Sequence, residues 1–398
     1  MSCRIVIAFR QLGLAAPLLT PFGSPRNRPE EQIMSEINQP TTRRQFLATA
    51  ATAAVVLPTV SALSAPFIQT SKNRPKNILG QGDYQFEMNH HWAQLPDKFT
   101  WQTTHNVAVD PEGLVYVIHE GHENQPDHPS IFVFDSQGKY VRSFGARFQG
   151  GGHGLEVRVD EGTPYLYVTG YQQVKAFAKL TLTGETVWEK YAPMESGKYA
   201  ANEDTERQRV WGRDRFMPTN FAFLPDGGFL LADGYGAFYI HRYDKDANWV
   251  SCFGGAGDGE GTFDTPHGLW LDQRGGKEPE VVVTDRAKNR LQFLDLNGKH
   301  LRTMDGFGMP ANVASHGDLL MVPELHARIA LLGPDNQVVA YLGADVERVT
   351  KGDSIRTKPD QWLDGKFVHP HDACFDNEGN ILVAEWVGTG RVSKLTRV

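Results

Sequence analysis

The sequence predicts an all-β chain, a six-bladed β-propeller preceded by a cleavable export signal, and three observations carry the prediction. A unit made of an apolar strand, a Gly or Asp turn, a second strand and a third strand recurs. The units begin near His105, His153, Thr219, His267, Ala311 and His371, at separations of 48, 66, 48, 44 and 60 residues. That is a period of about 45 residues broken by two insertions, as expected of propeller blades. Next, 40 Gly and 23 Pro punctuate the 398 residues, which suits many short strands and turns. Finally, the last unit reaches Val398 after three strands, so its outermost strand has to come from elsewhere. Tyr84–Met88, the one alternating stretch between Pro66 and Thr100, is the donor that closes the ring and leaves no free edge between its ends.

Taken in order, residues 1–65 form an upstream segment and signal, 66–100 the segment that closes the last blade, and 101–398 the propeller. Thr41-Thr42-Arg43-Arg44-Gln45-Phe46-Leu47, then an Ala-rich apolar stretch to Leu63 with small residues at Ala62 and Ala65, resembles a twin-arginine export signal. Met34 would start a signal of ordinary length, and the mature chain would begin near residue 63 or 66. The implied partner is the twin-arginine export machinery, and the implied location is periplasmic or extracellular. No apolar run reaches the roughly 18 residues a bilayer span needs, so no transmembrane helix is expected in the mature form. A net charge of −7 without a basic cluster in the repeats argues against nucleic acid as a partner. Cys252 and Cys374 fall on strands of different units and read as two buried free thiols.

Two stretches interrupt the period, Met194 to Arg215 and Asp345 to Lys366; both are charged, lack apolar periodicity and read as inter-blade loops. Strands within a blade run antiparallel from the axis outward, so the start of the first strand and the end of the second share one mouth of the ring. The histidines precede first strands, whereas Tyr235 and Arg286 follow second strands, so all face that mouth. His153, His267 and His371 occupy alternate units and would stand about 120° apart around the axis. Three neutral imidazoles suit Zn2+ or another divalent transition metal. His105 holds the same position in the first unit, as a fourth ligand, a donor behind the ligands or a pore-lining residue. Asp372 either steers His371, binds a hard cation or closes a turn. Tyr235 and Arg286 also read as a pore aromatic and an ion-pair partner.

Phrases such as Asn106-Val107-Ala108-Val109-Asp110-Pro111-Glu112-Gly113 and Phe221-Ala222-Phe223-Leu224-Pro225-Asp226-Gly227-Gly228 resemble the NHL repeat. Phe216-Met217-Pro218-Thr219-Asn220 through Ala232-Asp233-Gly234-Tyr235, Thr265-Pro266-His267-Gly268-Leu269 through Thr284-Asp285-Arg286, and His369-Pro370-His371-Asp372 resemble the peptidyl-α-hydroxyglycine α-amidating lyase (peptidylamidoglycolate lyase) family. The resemblance implies zinc on His153, His267 and His371, Tyr235 as base, Arg286 as a substrate-binding side chain, and Ca2+ held by Asp372 and the Leu155 carbonyl. It also implies a small-molecule or peptide substrate that splits into an amide and glyoxylate. One departure stands out: the family's first-blade arginine turn reads Ile118-His119-Glu120-Gly121-His122 here. Losing a desolvated clamp on a substrate carboxylate costs about 2–5 kcal/mol. Glu120, His119 and His122 are candidates for contact with a different substrate or for further ligation, or are solvated loop residues. The other functional classes compatible with the fold are a metal-dependent lactone or ester hydrolase and a non-catalytic propeller binding peptide, polysaccharide or protein.

Overall fold

The computed structural model describes residues 77–398 except 123 and 126, so the expected signal with Arg43 and Arg44 lies outside the described residues. Six antiparallel sheets make up the described chain, five of four strands and one of five. The units read from the sequence open these sheets. His105, His153, His267 and His371 lie on the innermost strands Thr104–Val109, Gly152–Asp160, Pro266–Asp272 and Pro370–Phe375, while Thr219 and Ala311 just precede Phe221–Phe223 and Ala314–His316.

Each blade grades from apolar to polar away from the axis. In the first, Val115–His119 and Ile131–Phe134 are wholly buried, whereas the outer strand Tyr140–Phe144 is only partly covered. A strand buried on both faces reads as a continuous β-branched and aromatic run, as these do. The turns use one device: Asp135, Asp244, Asp295 and Asp376 each accept the backbone N–H two residues on, which closes the hairpin locally.

The last blade takes strands from both ends of the described chain. From the axis outward it runs Pro370–Phe375, Ile381–Glu385, Arg391–Arg397, Tyr84–Asn89 and Ile78–Gln81. Phe86 pairs with Arg397 and Met88 with Leu395, and both Phe86 and Met88 enter the core beside Leu342 and Ile381. Burying two such side chains contributes about 1.5–3 kcal/mol each.

A buried carboxylate ends the second strand in several blades and fixes the mouth. Asp285, Glu324 and Glu385 each accept a backbone N–H from the segment leading into their own first strand, from Asp264, Gly308 and Val368. They also pair with Arg290, Arg328 and Arg391 on third strands. In the third blade Asp233 accepts the N–H groups of Met217, Gly236 and Ala237, and the Tyr199 hydroxyl, so it secures the turn that carries Tyr235.

Both insertions are anchored. Glu203 of the first forms an ion pair with Lys175 at 2.5 Å, with both side chains 0% exposed, and accepts the Phe216 N–H. The second is not only loop: it contains a helix, Val346–Lys351, and a 3-10 turn, Pro359–Gln361. That helix rests on charge pairs, Arg348 with Asp345 and Lys351 with Glu347, which an apolar period does not register. Cys252 and Cys374 are free, and both are partly covered rather than fully buried as expected.

Candidate functional site at the propeller mouth

A register irregularity sits at each of the four histidines, between Thr104 and Asn106, Gly152 and Leu155, Pro266 and Leu269, and Pro370 and Asp372. Such a bulge re-aims a side chain, here toward the channel. Three of the rings are then fixed by the neighbouring blade. His153 Nδ1 lies 3.2 Å from the Thr219 carbonyl, His267 Nδ1 2.6 Å from that of Ala311, and His371 Nδ1 2.7 Å from that of His105. A carbonyl only accepts, so each Nδ1 carries the proton and each Nε2 presents a lone pair. The acceptors are the residues at the equivalent position of the next blade. Close approach requires the glycine after each of two histidines: a Cβ on Gly154 would stand 2.1 Å from the Thr219 oxygen, and one on Gly268 2.7 Å from that of Ala311.

Two of these lone pairs meet, and the third ring packs beside them. The Nε2 atoms of His153 and His267 are 3.2 Å apart, and the ring centroids of His371 lie 5.0 and 4.7 Å from theirs. His371 Nε2 is buried without a hydrogen-bond partner. Burial, reinforced by neighbouring histidine and arginine charge, holds all three imidazoles well below their ordinary pKa and therefore neutral, the form that ligates metal. Two nitrogens on one tetrahedral zinc at about 2.0–2.1 Å are roughly 3.3 Å apart, which the 3.2 Å separation matches.

His105 joins this cluster. Its ring centroid is 4.8 Å from that of His153 and 4.7 Å from that of His371, and the three residues present ligand nitrogens within 4.8 Å of one another. This buried group can hold a metal ion. Both His105 nitrogens lack a hydrogen bond, and Nε2 lies 3.7 Å from Glu120, within ionic reach but beyond hydrogen-bond length. Burial opposes the charge on Glu120, but His105 and Tyr171 outweigh it and hold the carboxyl below its usual range.

Tyr235 and Arg286 reach the same point. The Tyr235 hydroxyl is 3.3 Å from His153 Nε2 and 3.0 Å from His267 Nε2, and Arg286 donates to it at 3.1 Å. Tyr171 packs on Tyr235 at 5.3 Å, and Trp211 of the first insertion, 42% exposed, lies 5.6 Å from Tyr235. An aromatic wall thus rises on that side. His119 and His122 do not take part: His119 is buried with its nitrogens on the Gln102 N–H and the Pro129 carbonyl, and His122 is exposed.

One residue further along the innermost strands lies a set of oxygens. Asp372 accepts the Asn312 amide at 2.5 Å and the Val107 N–H at 2.8 Å. Burial raises the pKa of Asp372, and burial followed by the Asp372 charge raises that of Glu156. The Oδ1 atoms of Asn106 and Asn312 are buried without partners. Carboxylates that resist ionising together, beside orphaned amide oxygens, fit a hard cation. Leu155, whose carbonyl the sequence reading placed there, is fully buried on the same strand as Glu156.

Glu156, Tyr171, Trp211 and the Asn106, Asn220 and Asn312 set were not foreseen. The asparagines carried a signal, since each directly follows the opening position of an odd-numbered blade.

Fold and site together define a six-bladed propeller with a buried, histidine-lined centre at one mouth. No family model matches the sequence, and no curated protein matches it. Among solved structures, a streptogramin B lyase is similar over 78% of this chain and 97% of its own, at 12% identity and a TM-score of 0.50. A protein of unknown function from Bacteroides caccae covers 69% of this chain and 83% of its own, at 14% identity and a TM-score of 0.43. A third structure, provisionally named a gluconolactonase, covers 79% and 93%, at 14% and 0.48. At these identities the likeness is one of fold.

Proposed function

We propose that the protein is an exported, metal-dependent lyase that splits an N-acyl-α-hydroxyglycine, a peptide or a smaller acyl compound, into an amide and glyoxylate. The observation that carries the reading is the 3.2 Å approach of the His153 and His267 Nε2 atoms, beside the His371 ring with its unpartnered Nε2 and bordered by the Tyr235 hydroxyl and Arg286. His153, His267 and His371 would hold the metal, whose chemistry is to acidify a substrate hydroxyl brought to it. Tyr235, as phenolate, takes the hydroxyl proton, and the Arg286 guanidinium stabilises negative charge on its oxygen. The C–O electrons form the aldehyde of glyoxylate as the C–N bond breaks, and Tyr235 returns the proton to the departing amide nitrogen. Tyr171 and Trp211 would flank the bound substrate with an aromatic wall. Ca2+ at Asp372 and Glu156 would brace the innermost strands.

The test is direct. Native protein with zinc should release glyoxylate from N-benzoyl-α-hydroxyglycine, and a chelator should stop it. Metal-loaded protein that leaves this compound intact but opens a sugar lactone would replace the lyase with a hydrolase. The proposed export rests on the resemblance of the Arg43-Arg44 stretch to a twin-arginine signal, and N-terminal sequencing of secreted protein should find a start near residue 63 or 66.

A further inference from the structure

Two of the other buried arginines come with a carboxylate, while Arg286 donates to the Tyr235 hydroxyl. Arg274 pairs with Asp272 and Arg391 with Glu385. Arg356, from the second insertion, is held differently. It is 4% exposed, yet no carboxylate lies within salt-bridge distance among the described residues, and its Nε has no hydrogen-bond partner. Its guanidinium stacks on Trp386 at 3.8 Å and donates to the Thr103 hydroxyl at 2.9 Å, while its carbonyl accepts the Gly388 N–H. These contacts fix it between the last and first blades, on the mouth where the histidines open.

The nearest acid is otherwise engaged. Glu120 is tied to Arg356 through one residue, because the Thr103 carbonyl accepts the Glu120 N–H while the Thr103 hydroxyl accepts from Arg356. The Glu120 carboxylate, however, is turned to Gln172 and His105. Glu120 thus acts on Arg356 only from beyond salt-bridge distance, and a guanidinium taken out of water, oriented by stacking and without a carboxylate in contact is prepared for an anion, because its desolvation and ordering are already complete before a ligand arrives.

We infer that Arg356 binds a carboxylate of the substrate and supplies, from an inter-blade insertion, the positive charge that the first-blade turn lacks at Glu120. The inference deepens the reading above: substrates carry a carboxylate beside the reacting carbon, and neutral amides of the same acids are rejected. Arg356 touches the ligand but takes no proton.

The experiment uses two unreactive probes, N-benzoylglycine and its neutral amide, titrated calorimetrically into zinc-loaded protein. The wild type should prefer the acid by at least about tenfold, the scale of one charge-assisted pair. Arg356→Met, which keeps the stem against Trp386, should lose that preference, and Arg356→Lys should fall between. Circular dichroism and zinc content equal to wild type establish that the variants are folded. A wild type without preference, or an Arg356→Met protein that keeps it, overturns the inference. Glyoxylate release with unchanged KM in Arg356→Met sinks this inference alone, whereas acid-selective binding without glyoxylate release sinks only the reaction.

Discussion

Replacing His267 by alanine probes the centre most sharply. Its Nδ1–H is engaged by the Ala311 carbonyl, so its Nε2 lone pair meets that of His153 at 3.2 Å, and the single Tyr235 proton serves one of them. A metal ion between them would satisfy both acceptors at once. A full zinc site is worth about 10–16 kcal/mol, so one of three nitrogens accounts for roughly 3–5 kcal/mol, or two to four orders of magnitude in Kd. Zinc at a thousand times the wild-type Kd stabilises that protein by about 4 kcal/mol, several degrees in Tm, and a thousandfold weaker variant by less than about 0.5 kcal/mol. The metal-free proteins should differ by only about 1 kcal/mol, since the substitution also removes an unfavourable pair of facing acceptors. Equilibrium dialysis with elemental analysis, and melting curves with zinc or chelator, measure both effects. A His267→Ala protein with stoichiometric zinc and an undiminished zinc-dependent rise in Tm would refute the reasoning.

Further outcomes follow from other contacts. Tyr235→Phe should keep zinc and Tm but lower kcat for glyoxylate release by about 100- to 10,000-fold, measured at saturating substrate. Gly154→Ala would press a Cβ against the Thr219 carbonyl that fixes His153, so urea denaturation should show a loss of about 1–3 kcal/mol, and zinc affinity should fall although every histidine remains. Glu203→Gln leaves Lys175 buried without its counter-charge, and the same assay should register a loss of about 3–5 kcal/mol.

The ring was legible because each blade repeats the same local problem: a continuous apolar strand, an Asp turn and a carboxylate that closes the mouth. Those signals are periodic and survive without knowledge of the neighbours. His153, His267 and His371 were legible for the same reason, being set at one position of a period. The carbonyls that orient them were not, because Thr219, Ala311 and His105 contribute backbone atoms whose partners lie in another blade. Arg356, Trp211 and Tyr199 were hidden in the insertions, where no period exists, and each acts through a contact with a distant turn. Glu120 was noticed as a reversal of charge, but its hold on Gln172 and His105 needed the fold.

The clasp between Tyr84–Asn89 and Arg391–Arg397 has a temporal side. His371 lies on the sheet that contains this clasp, and its imidazole is oriented by a carbonyl from the first blade. A nascent chain therefore cannot assemble the full set of nitrogens until its final strands have left the ribosome. The proposed metal uptake should accordingly await that clasp, with chains stalled before Arg391–Arg397 remaining unloaded whatever the zinc supply.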